Sequence, residues 1–154
     1  MMERMHIDVF IDGLTRYFKH LDSSRIGDNL SLEISAPYLL ESTQSLGLDY
    51  TGMISVSGSN SGIIFVSAKN ALLKLILLSL GESEFSSELK RDLIGEIANT
   101  LAGNARRHLG EGFHISTPRV IKGPIITTNY RLSSRCYVLP FRWKSNKAEL
   151  IISI

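Results

Sequence analysis

Residues 91–109, RDLIGEIANTLAGNARRHL, constrain the fold more than any other stretch of the chain. At 100° per residue, with Glu96 set at zero, Leu93, Ile97, Leu101, Ile94, Ala105, Ala98, Leu109 and Ala102 fill one arc from about 60° to 240°. That half of the helix must be covered by other layers of the protein. The opposite arc carries Glu88, Asp92, Glu96, Asn99, Gly103 and Arg107. Ser86 or Ser87 serves as the N-cap, with Phe85 before it as a hydrophobic staple. Gly110 and Gly112 end the helix after Leu109.

The rest of the chain supplies what the helix needs to pack on. MISVSGSNSGIIFVSA, residues 53–68, reads as a β-hairpin: two β-rich runs flank a glycine-containing turn. That Gly/Ser loop lacks the lysine and following helix of a phosphate-binding P-loop. A helix is expected over residues 6–20, from Val9, Phe10, Leu14, Tyr17 and Phe18 at helical spacing. A second, apolar nearly all round, covers about 69–80 and should be buried. SLEIS at 31–35 alternates like a strand. Further strands are expected at 114–122 (with Pro118 inside), 125–132, 135–143 and 147–154, the last two joined by KSNK as a hairpin. The order predicts a layered α/β (α+β) domain: a mixed, largely antiparallel sheet with two long helices packed on it. At 154 residues the whole chain, 1–154, is expected to be a single domain.

Charge and cysteine content narrow the setting. Residues 1–114 hold 10 Lys+Arg against 14 Asp+Glu, and residues 115–154 hold 7 against 1. The basic residues at the C-terminal end are spread along expected strands, where they solvate edges; a nucleic-acid surface would need them clustered. Cys136 is the single cysteine, so no internal disulfide framework exists. The longest apolar run, ALLKLILLSL, is interrupted by Lys74 and is far short of the roughly 20 residues of a membrane span. Glu3, Asp8 and Asp12 interrupt the N-terminus where a signal peptide would be apolar. A soluble, cytoplasmic protein is expected. His6, His20, His108 and His114 show no metal-ligand spacing with one another or with Cys136, so no metal site is expected.

The polar arc of the long helix is the unusual part. Asp92, Glu96, Asn99 and Gly103 follow spacings of four, three and four, forming one ridge. Glu88, Asp92 and Glu96 repel one another at i, i+4 and i+8. The helix dipole compensates the first two but does little for Glu96, and residue 100 is threonine rather than a cation. Gly95 and Gly103 each cost about 1 kcal/mol against alanine inside a helix. Two readings fit: a solvated face whose glycines admit a neighbouring strand or helix, or a surface prepared for another body. Glu and Asn at this spacing suit a reaction in which positioning does most of the catalysis, above all phosphoryl transfer. An amide can fix the direction of a water without titrating. A carboxylate can hold a partner's cation. A glycosidase-type acid pair fits poorly, because an open helix offers no dry pocket to raise one pKa.

DLIGEIANTLAGNARRHL followed by FHISTPRVIKG resembles the CheC/CheX/FliY family of bacterial chemotaxis phosphatases, and most resembles CheX. The family motif is Asp or Ser, three residues, Glu, two residues, Asn, then a downstream Pro. Its positions fall on Asp92, Glu96, Asn99 and Pro118, the last 19 positions after Asn99 and nearer than the family pattern has it. TGMISVSGSNSGIIFVSAKNALLKLILLSLGE resembles the family's preceding hairpin and helix. The resemblance implies hydrolysis of the phosphoaspartate of a CheY-like receiver domain. Asn99 would orient the water, and Glu96 would engage the receiver through its active-site lysine. Asp92 and Gly103 would be supporting or partner-binding positions. No cofactor of its own is implied, since Mg2+ would arrive with the receiver. A homodimer is implied as well. CheC-like relatives repeat the Glu–Asn pair on an earlier helix, but Asp12 and Thr15 stand there in this chain, so one site is expected. The alternatives are a non-catalytic receiver-binding module using the same face, and a dimeric structural domain binding nucleic acid through basic strands.

Overall fold

The computed structural model describes residues 4–22, 31–41, 46–59, 61–110, 112–133 and 135–154. Among the described residues, three α-helices, α1 (Arg4–Asp22), α2 (Asn70–Ser79) and α3 (Ser87–Leu109), accompany eight strands. The strands are β1 (Leu32–Ile34), β2 (Tyr38–Leu39), β3 (Tyr50–Gly58), β4 (Gly62–Ala68), β5 (Phe113–Ile115), β6 (Arg119–Lys122), β7 (Tyr137–Trp143) and β8 (Asn146–Ser153). They form one sheet in the order β1-β7-β8-β4-β3-β5, with β2 also on β7 and β6 also on β3. Every pairing between these strands is antiparallel.

Both expected hairpins form. In the first, Met53 faces Phe65 and Ile54 faces Ile64; Asn60 at its tip lies outside the described residues. In the second, Trp143 faces Asn146 across the two-residue turn Lys144–Ser145. Both turn residues have positive φ, 48° and 67°, as a type I′ turn requires.

Two expected strands are corrected. The one over 114–122 divides into β5 and β6, because Pro118 has no N–H to give to β3. In the break, Ser116 Oγ accepts from the Ser55 N–H at 2.9 Å. The strand over 125–132 does not form. Gly123 turns the chain at φ 102°, Ile125 makes one isolated bridge to Leu46, and Thr127–Asn129 is a 3-10 turn. Ile125 instead plugs a small second core with Leu46, Met53, Phe65, Cys136, Val138 and Ile151.

The main core lies between the helices and the other sheet face, with Phe10, Leu14, Phe18, Ile54, Ile64, Leu73, Ile94, Leu101 and Trp143 buried in it. Phe18 of α1 packs at a tilt against Phe141 and Trp143, at 5.8 and 5.4 Å between ring centres. α2 is only partly the buried helix expected: Leu72, Leu73, Ile76 and Leu77 are buried, whereas Leu78 within it and Leu80 just past its end are half-exposed. No helix among the described residues is long and apolar enough to cross a membrane.

Candidate functional site

α3 is the element that presents the site, and its placement begins at its cap. Ser86 Oγ accepts from the Leu89 N–H at 3.1 Å, fixing the first turn. Tyr50 Oη and Ser87 Oγ share a hydrogen bond at 3.0 Å, tying the start of β3 to that turn. Further along, a Cβ on Gly52 of β3 would lie 2.6 Å from the Ile94 carbonyl oxygen and 3.1 Å from Ala98 Cβ. Only glycine lets the helix backbone sit this close to the sheet. The last turn carries Arg106, Arg107 and His108, which complement the dipole.

The buried face follows the helical arithmetic. Leu93, Ile94, Ile97, Ala98, Leu101, Ala102 and Ala105 are buried. Two polar residues on the same arc, Lys90 and Asn104, are buried with them. Asp92, Glu96 and Asn99 are exposed. They line one open groove of about 390 Å³ together with Arg91, Gly95, Pro118 and Val120. The four positions carrying the sequence resemblance therefore meet in space. Pro118 arrives through β6, whose Val120 pairs with Gly52 and packs on Gly95, 3.2 Å from where a Cβ would stand. The bland explanation is thus the correct one for Gly95: it admits a strand of the same protein.

Gly103 differs. Nothing lies within 4 Å of a Cβ placed on it. It is outside the groove of Asp92, Glu96 and Asn99 and borders a neighbouring depression with Arg106 and Arg107.

Glu96 also faces a second groove, of about 420 Å³, between α1 and α3. Tyr17 of α1 lines it, and its hydroxyl is held well above the ordinary range, first by burial and then by the negative charge of Glu96. Asn104 lines the same groove; its Oδ1 accepts from Arg107 Nη2 at 3.1 Å, and its buried Nδ2 has no partner among the described residues. Neither Tyr17 nor Asn104 was singled out by the sequence. The Asn104 signal was a polar residue inside the apolar arc. On α1, Asp12 is paired with Arg16 at 3.0 Å, and the Thr15 hydroxyl donates to the Ile11 carbonyl. Among the described residues no three His, Cys, Asp or Glu side chains gather as metal ligands would.

Chemically the main groove offers an amide and a carboxylate, both reachable by a large partner, on a rigid helix beside a proline. Groups of this kind can position a reactant without titrating. The family model described as "Chemotaxis phosphatase CheX" matches residues 50–142, and the chain belongs to that family. The match spans Asp92, Glu96, Asn99 and Pro118.

Solved structures agree on the fold. A CheC-like superfamily protein from Shewanella sp. PV-4 is 24% identical, with a TM-score of 0.78 over 99% of this chain and 98% of that one. Chemotaxis protein CheX from Vibrio vulnificus is also 24% identical, with a TM-score of 0.76 over 97% and 98%. The CheX–CheY–BeF3–Mg2+ complex from Borrelia burgdorferi gives 19% identity and a TM-score of 0.71 over 96% of each chain. No curated protein sequence matches.

Proposed function

We propose that this protein hydrolyses the phosphoaspartate of a CheY-like receiver domain, with Asn99 and Glu96 carrying the site. The observation that supports this most directly is the joint exposure of Glu96 and Asn99 on α3 beside Pro118, in one open groove, within a chain of the CheX family. Asn99 accepts from and donates to a water, aiming its oxygen at phosphorus in line with the bond that breaks. The new P–O bond forms as the acyl P–O bond cleaves, releasing the receiver's aspartate carboxylate and dihydrogen phosphate, which keeps both protons of the water. That carboxylate is a weak base, so the leaving group needs no proton. Glu96 holds a receiver cation, its active-site lysine, by a charge-assisted bond. Asp92 and Gly103 support docking. The magnesium ion comes with the receiver, as the composition of the Borrelia burgdorferi complex suggests. We further read residues 1–154 as one domain that acts in the cytoplasm as a homodimer.

The test is the phosphate lifetime of phosphorylated receivers from the same organism, with wild type, Asn99→Ala and Glu96→Ala. Wild type should shorten it. Asn99→Ala should lose about a hundredfold or more of that acceleration, as for removal of a positioning group. A wild type that leaves every receiver's lifetime unchanged overturns the reading. Complex formation without faster hydrolysis would assign the chain to non-catalytic receiver binding instead.

A further inference from the structure

Glu96 stands between two grooves. On one side are Asn99 and Pro118; on the other is the groove of about 420 Å³ between α1 and α3. Fixing so flexible a side chain in one direction costs rotamer entropy, and α3 itself does nothing to fix it. Among the described residues the Glu96 carboxylate makes no ion pair or hydrogen bond. The Thr100 hydroxyl, one turn on, donates to the Glu96 main-chain carbonyl instead, at 2.9 Å. The second groove supplies a donor from α1. The two helices meet at Gly13, where a Cβ would lie 3.2 Å from Asn104 Nδ2 and 3.3 Å from Leu101 Cδ2. Tyr17 follows one turn later on the same face of α1 and lines the groove with Glu96. Its ring is anchored: it lies edge-on to Phe18, 5.2 Å between centres, and packs on the main core. Of the groove's other polar side chains, Arg16 is paired with Asp12 and Arg107 donates to Asn104. The Tyr17 hydroxyl stays a donor at ordinary pH, since burial and then the negative charge of Glu96 disfavour its anion.

We infer that Tyr17 is a positioning residue for Glu96: as the receiver docks, the Tyr17 hydroxyl donates to one carboxylate oxygen and leaves the other for the receiver's lysine. This rests on the docking role given to Glu96 above. No direct hydrogen bond joins the two side chains in this structure, so the contact is made by a turn of the exposed Glu96 chain. A carboxylate has lone pairs enough for both donors. A hydroxyl on a core-anchored ring sets where the carboxylate stands, and the incoming cation then meets a partner already in place. The bond is charge-assisted, so it is stronger than one between neutral groups. Gly13 fits the same arrangement. It costs stability inside a helix, and it lets α1 come close enough to α3 to bring Tyr17 beside the ridge.

Calorimetric binding to a receiver loaded with beryllofluoride and Mg2+ tests this as a double-mutant cycle. Tyr17→Phe keeps the ring and removes the donor, and it should weaken binding about tenfold. In a Glu96→Ala background the same change should alter binding by less than about twofold. Steady-state hydrolysis of the phosphorylated receiver should follow the binding: KM rises about tenfold in Tyr17→Phe while kcat stays within about twofold. Tyr17→Phe binding as tightly as wild type overturns the inference. So does a loss that persists undiminished in Glu96→Ala, which would give the hydroxyl a merely structural part in seating α1. A wild type that binds no receiver overturns it together with the docking role of Glu96. The two proposals part on hydrolysis. Binding with the Tyr17–Glu96 coupling but without hydrolysis would sink the phosphatase reading and retain this one; hydrolysis without the coupling would do the reverse.

Discussion

Gly95 of α3 and Val120 of β6 share a contact that crowds any side chain on the helix at that position: Val120 Cγ2 stands 3.2 Å from the position of a Gly95 Cβ, with Pro118 Cβ at 3.7 Å. The strand that delivers Pro118 to the groove is seated directly on helix backbone. Gly95→Leu should force β6 outward, costing about 1–3 kcal/mol in a urea titration. It should also reduce receiver dephosphorylation more than its residual folded fraction accounts for, because Pro118 moves with Val120. Unchanged activity at reduced stability would show that Pro118 has no part in the site.

Gly103 should respond oppositely. Its Cβ would enter open space, so Gly103→Ala should stabilise by about 1 kcal/mol through helix propensity alone. Gly103→Phe should remain folded but dock the receiver poorly, raising KM. A KM equal to wild type would place Gly103 outside the contact.

The Cys136 thiol predicts an alkaline loss of stability. It is 4% exposed, and burial pushes it from 9.0 up to about 11, against a smaller lowering by the Ser153 hydroxyl. Between those values the folded state keeps a proton that the unfolded chain releases, so stability is complete below pH 9.0 and falls as pH rises toward 11. Urea midpoints of wild type and Cys136→Ala, compared at about pH 8 and about pH 10.5, should draw together at the higher value. A constant difference between the two proteins would count against it.

The Lys144–Ser145 turn carries side chains at φ 48° and 67°. Replacing the pair with Asn-Gly, whose residues occupy that region readily, should raise stability by about 1 kcal/mol. Thermal unfolding followed by Trp143 fluorescence would register it, and a lowered midpoint would argue against the type I′ assignment.

Much of this arrangement was legible in the residues. The apolar arc of α3 matched its buried face because helical geometry alone sorts Leu93 from Asp92. The hairpins at 53–68 and 137–153 followed from alternation around short turns. What escaped were features set by distant partners. Ile125 looks like a strand residue locally, but the uncovered back of β3, β4 and β8 draws it into a plug with Leu46. The interior glycines were ambiguous, since a glycine cleared for β6 and one left open look identical in sequence; only the position of Val120 separates Gly95 from Gly103. Asn104 sat in the apolar arc without a reason until α1 packed against it. There a Cβ on Gly13 would come 3.2 Å from the Asn104 amide nitrogen.

The place of β8 in the sheet has a consequence for the order of synthesis. β3, β4 and α3 leave the ribosome well before Asn146–Ser153, yet β8 is the strand that joins β4 to β7. Until it is made, Ile63, Ile64, Phe65 and Val66 line an unpaired edge, the kind of surface that recruits other chains. A chain that carries β4 without β8 thus presents an open apolar edge, and pairing of β8 with β4 is the step that closes it.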